Sequence, residues 1–125
     1  MSGPPDAASA LHARLRRALP PALKARDQAA VAALRSALAA VDNARAVEAP
    51  PAPRSGGVVA GAVTGLGAGD APRRELSEGD IAAIVRAEVA DRRAAAADYE
   101  RAGRVDAAAR LTAEADVLAA HLADA

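Results

Sequence analysis

The sequence contains no cysteine, no tryptophan and no phenylalanine, and only one tyrosine and one methionine. Without cysteine there can be no disulfide, no thiolate nucleophile and no cysteine-ligated zinc, which suits a reducing compartment and makes the cytoplasm the expected location. Without aromatic rings a core has to be assembled from Leu, Val, Ile and Ala. Alanine makes up about a third of the 125 residues, so the apolar area available for burial is small and a thin core is expected. The same mix favours helix over strand, and the fold class it predicts is all-α. Long apolar runs are missing as well. The opening "MSGPPDAASALHARLRRALP" has no uninterrupted apolar segment of signal-peptide type, and "VVAGAVTGLGAG" is too short and glycine-rich to cross a bilayer. The chain therefore reads as soluble and unprocessed, with no membrane among its partners.

A net charge of zero conceals a division. Residues 1–74 hold ten Lys/Arg against five Asp/Glu, and residues 75–125 hold six against eleven. One half is basic and the other acidic by about five charges each. This split fits an electrostatic match between two layers, an anion-binding half beside an acidic one, or two solvated faces that differ.

Periodicity places four helical segments. In "DAASALHARLRRAL" the residues Ala8, Leu11, Leu15 and Leu19 share a stripe, and Pro20 and Pro21 predict that the helix kinks or breaks there, with Leu19 pushed out of the α region. Asp27 has the character of an N-cap for "QAAVAALRSALAAVDNARAV", whose Val31, Leu34, Leu38 and Val41 repeat at three and four residues. Ser77 can cap the third segment, with Asp80 in the capping-box position, and Gly103 is placed to end it. The last segment puts Ala107, Leu111, Ala115, Leu118 and Leu122 on one face. The expected architecture is a single domain over 1–125, a small helical bundle of two antiparallel hairpins at 6–48 and 75–123. A Gly/Pro/Ala-rich flexible loop at 49–74 joins them. Its glycines follow no phosphate-loop or dinucleotide pattern.

A search for chemistry yields little. His12 and His121 have no second ligand at metal spacing, the serines have no neighbouring base, and carboxylates two apart, such as Asp98 and Glu100, diverge on a helix. No catalytic residue, metal site or cofactor is expected. The third segment does pose a question. Its stripe of Ile81, Ile84, Val85, Ala95, Ala96 and Tyr99 carries Glu88 and Arg92 at its centre, and an acid and a base on an apolar face require either a polar partner or water.

At the second hairpin the sequence resembles the GatB/YqeY family, which shares its helical module with the tail of the B subunit of the tRNA-dependent Asp/Glu amidotransferase. The resemblance is carried by Leu76-Ser77, Ile81, Glu88, Arg92, Tyr99, Ala102-Gly103-Arg104, Asp106, Glu114 and Val117-Leu118 leading to Leu122. Upstream, "ALKARDQAAVAALRSALAAVDNAR" is similar to the family's first hairpin, with Leu34-Arg35 at its Leu-Arg pair. The chain reads as a short form that ends at "HLADA", where a further C-terminal subdomain would follow. The resemblance implies a helical bundle, contact with tRNA, and a label of carbon–nitrogen ligase with glutamine as amide donor. The glutaminase and kinase sites of such enzymes lie on other domains or subunits, so the label describes kinship and the chain by itself is expected to be non-catalytic.

Three functions follow as expectations. The first is a tRNA- or RNA-associated accessory module, the second a protein-docking module for a tRNA-processing or amidotransferase component, and the third a ligase by family label. DNA is not expected as a partner. The candidate RNA-binding residues are Arg14, Arg17, Lys24, Arg26 and Arg35, on the basic first hairpin. A candidate polar network of Arg35, Glu88, Arg92, Tyr99 and Glu114 would either fix the register of the hairpins or line a ligand or RNA site.

Overall fold

The computed structural model describes residues 7–47 and 75–124; the loop expected over 49–74 lies outside them. Four helices follow one another: α1 (Ala7–Ala25), α2 (Gln28–Val47), α3 (Glu78–Arg101) and α4 (Val105–Ala123). No strand occurs among the described residues, and the fold is a small all-α bundle. No helix among the described residues is long and apolar enough to cross a membrane.

The helices start and stop where local chemistry requires. Asp27 caps α2, its Oδ1 accepting from the backbone N–H of Ala30 at 3.1 Å. Ser77 caps α3 in a reciprocal box: its Oγ accepts from the Asp80 N–H at 3.0 Å, and an Asp80 carboxylate oxygen accepts from the Ser77 N–H at 2.9 Å. Both hairpin turns are Schellman motifs. In the second, the Arg104 N–H reaches the Tyr99 carbonyl at 2.8 Å and the Gly103 N–H reaches that of Glu100 at 3.0 Å, around Gly103 at φ 78°. In the first, the Asp27 N–H reaches the Ala22 carbonyl at 3.0 Å and the Arg26 N–H that of Leu23 at 3.1 Å, around Arg26 at φ 58°. The left-handed position is therefore held by a glycine in one hairpin and by an arginine in the other.

This difference gives a prediction. Nothing stands within 4 Å of where a Cβ on Gly103 would sit, so Gly103→Ala tests backbone conformation without a clash. It is expected to lower stability by about 1 kcal/mol. The midpoint of urea unfolding should fall with an unchanged m-value.

The expectation of a break at Pro20 is corrected: α1 runs continuously from Ala7 to Ala25 with Pro20 and Pro21 inside it and Leu19 helical. The two prolines remove the donors that would meet the Arg16 and Arg17 carbonyls. All four residues are exposed, so water can take up the freed carbonyls. Packing against the core on both sides of the prolines, by Leu15, Ala18 and Leu19 before them and Ala22 after, holds the segment helical.

All four helices contribute to one core. Leu11 and Leu15 of α1, Ala33, Leu34, Ala37 and Val41 of α2, Ile81 and Val85 of α3 and Leu118 of α4 pack together. Seven of the side chains are large and fully buried, each stabilising by roughly 1.5–3 kcal/mol. The other buried apolar positions are alanines, which let the helix backbones approach closely. Residues 7–41 and 76–124 make up one compact unit that contains this core, whereas Asp42–Val47 at the end of α2 and Glu75 belong to a second.

Candidate functional site

Glu88 and Arg92 lie one turn apart on α3 and are half-buried. The Arg92 Nη1 donates to Glu88 Oε1 at 2.8 Å and to the Glu88 carbonyl at 3.1 Å, and its Nε donates to Glu114 Oε1 on α4 at 2.9 Å. From α2, the Ser36 hydroxyl donates to the same Glu88 oxygen at 2.7 Å. The three charged side chains are only 10–19% exposed. Two carboxylates thus share one guanidinium, and the serine supplies the extra donor that Glu88 needs. In this environment each hydrogen bond to a charged group contributes more than it would in water.

Of the five residues expected in this network, the structure brings together Glu88, Arg92 and Glu114. Arg35 is exposed, and among the described residues no hydrogen bond or ion pair joins it to the other three. Tyr99 is 38% exposed and lies two turns beyond Arg92, with the Arg104 guanidinium over its ring at 5.6 Å. That contact joins the two residues whose backbones close the Schellman turn, so "AGR-x-D" is accounted for locally. Glycine takes the left-handed position, the arginine folds back on Tyr99, and Asp106 adds its charge to the first turn of α4. Ser36 was missed by sequence reasoning. Its signal was its position, three residues after Ala33 and four before Ala40, which puts it on the alanine face of α2.

The five candidate RNA-binding residues divide differently. Arg14 is half-buried, and its Nη2 donates to the His121 carbonyl at 3.0 Å. It tethers α1 to the last turns of α4 and offsets the negative end of that helix. Arg17, Lys24, Arg26 and Arg35 are exposed, as is Arg16, and none of them has an ion-pair partner among the described residues. Arg17 and Lys24, seven residues apart, share one stripe of α1. Of the six basic residues of the second hairpin, Arg86, Arg104 and Arg110 are likewise exposed without an ion pair among the described residues, and the other three are paired. Arg92 is held by Glu88 and Glu114, Arg93 pairs with Asp116 at 3.2 Å, and Arg101 pairs with Asp98.

Where α1 meets α2 there is an open hollow of about 380 Å³ lined by Leu23, Arg26, Gln28, Val31, Ala32 and Arg35. Its lining is mostly apolar, and two exposed arginines, Arg26 and Arg35, take part in it.

No group of three or more His, Asp or Glu able to hold a metal ion occurs among the described residues. No curated protein and no solved structure matches the chain. A family model described as Yqey-like protein matches residues 67–125, the stretch that holds α3, its capping box, the Glu88–Arg92–Glu114 seam and the Gly103 turn. The second hairpin is thus the part of the chain that is similar to the Yqey-like family.

Proposed function

We propose that the chain is a non-catalytic accessory module that associates with tRNA, or with a similarly structured RNA, through the first hairpin. The observation that carries this reading is the unequal pairing of its basic residues. Arg16, Arg17, Lys24, Arg26 and Arg35 stand exposed and unpaired among the described residues, whereas in the second hairpin Arg92, Arg93 and Arg101 are matched by its own acids and the remaining Arg86, Arg104 and Arg110 stand in a segment, residues 75–125, that holds eleven Asp/Glu against six Lys/Arg. Unmatched cations on one surface attract phosphates and release counterions, and a surface with excess carboxylate repels them. The resemblance to the amidotransferase tail supports tRNA as the RNA. The polar groups that the helices gather, Ser36, Glu88, Arg92 and Glu114, are engaged with one another, so the module acts by binding and the ligase label expresses kinship.

The test is a triple variant, Arg17→Gln with Lys24→Gln and Arg35→Gln. Arg14 is left intact because it anchors α4. Affinity for a tRNA transcript is expected to fall, and the slope of log affinity against log salt should flatten by roughly 0.7–0.9 per lost contact. Unchanged affinity and slope would refute RNA binding at this surface. Absence of binding by the unaltered chain at low salt would favour docking on a tRNA-processing or amidotransferase protein instead.

A further inference from the structure

We infer that the hollow between α1 and α2 seats one unpaired nucleotide, so that the module prefers single-stranded RNA segments to uninterrupted duplex. The inference rests on the RNA reading above and adds to it which part of the RNA is gripped. At about 380 Å³ the hollow lies at the small end of the roughly 300–1,000 Å³ that ligand pockets span. This volume suits a single nucleotide.

The chemistry around the hollow fits the three parts of a nucleotide. Leu23, 45% exposed, forms with Val31 and Ala32 the apolar part of the lining, which can lie against the face of a base. Gln28 is exposed beside it and presents both a donor and an acceptor to a base edge. Arg26 and Arg35, which also line the hollow, can hold the flanking phosphates in bidentate fashion or place a guanidinium plane against the base.

The backbone adds an independent observation. Arg26 occupies a left-handed conformation at φ 58°, which an L-residue adopts less readily than glycine. The equivalent position of the second hairpin is Gly103, which carries no such cost. The arginine therefore sits at this turn at a conformational disadvantage, and it lines the hollow. An acidic peptide would also match a mostly apolar lining that includes two arginines. It would, however, leave Arg16, Arg17 and Lys24 along α1 unmatched, whereas a continuing phosphate backbone would meet them.

The experiment compares a short single-stranded oligoribonucleotide with a blunt-ended RNA duplex carrying the same number of phosphates. Both are titrated by fluorescence anisotropy into the full chain. The unaltered chain should bind the single strand more tightly. Leu23→Ser, at a half-exposed site, should weaken single-strand binding about fivefold while duplex affinity and salt slope stay the same. Arg26→Gly should resist urea better than the unaltered chain and yet bind the single strand more weakly, a pairing that a purely structural arginine would not give. Equal affinity for both RNAs, with Leu23→Ser silent, would overturn the nucleotide pocket and leave the RNA reading standing. Failure to bind either RNA at low salt would overturn both. Tighter binding of an acidic amphipathic peptide than of either RNA, abolished by Leu23→Ser, would assign the hollow to a protein partner.

Discussion

Replacing Arg92 with alanine is expected to lower the stability of the bundle by about 3–5 kcal/mol, because it leaves two carboxylates facing each other at a seam with no cation between them. The side chain of Glu114 is 10% exposed and that of Glu88 19% exposed, so water can compensate them only in part. Glu88→Ala should be milder, at about 1–2 kcal/mol, since Arg92 keeps Glu114 and the residue 88 carbonyl, and what is lost is the carboxylate that accepts from Arg92 Nη1 and the Ser36 hydroxyl. Asp91→Ala, on the exposed face of the same helix, should stay within about 0.5 kcal/mol of the unaltered protein. Urea unfolding of the three variants checks the order. If Arg92→Ala unfolds together with the unaltered chain, the seam is not structural, and Glu88, Arg92 and Glu114 become available to a ligand.

The reason this seam could be read only in part shows how far the sequence reaches. A helical repeat identifies which residues share a stripe, so Glu88 and Arg92 could be placed on the buried face of α3 from spacing alone, and the family motif drew attention to Glu114. The repeat does not fix how one helix is rotated against a neighbour distant in sequence. A rotation of one residue, 100°, separates Ser36 from Arg35 on α2, and it is Ser36 that meets Glu88. The caps of α2 and α3 and the Gly103 turn were legible because each is decided within five or six residues. Pro20 and Pro21 misled for the converse reason. Their local preference is to end a helix, and packing of Leu15, Leu19 and Ala22 against residues far along the chain outweighs it. Arg14 is a similar case: its tether to the His121 carbonyl spans 107 positions, and its sequence neighbours Arg16 and Arg17, both exposed, give no hint of it. The hollow beside Arg26 is lined by residues of both α1 and α2, a juxtaposition that no single-helix pattern encodes.

Leu15→Ala is expected to cost about 2–5 kcal/mol, toward the upper end of that range. Leu15 is fully buried on α1 among Leu11, Leu34, Ile81, Val85 and Leu118, and the neighbouring buried positions include Ala33 and Ala37. A cavity bordered by alanines cannot be filled by a long side chain swinging in, and the backbones they bring together are already close. The opposite change should also destabilise: Ala33→Leu puts three extra carbons into a position with no exposed surface and is expected to cost about 1–3 kcal/mol through displaced neighbours. With about 4–8 °C in melting temperature per kcal/mol for a domain of 60–100 residues, both shifts are readable by thermal circular dichroism at the helical band. The pair tests how the alanine-rich core is built. Loss of stability in both directions means that leucines and alanines are matched in volume across the helices, whereas a gain from Ala33→Leu would mean that the thin core contains unfilled space.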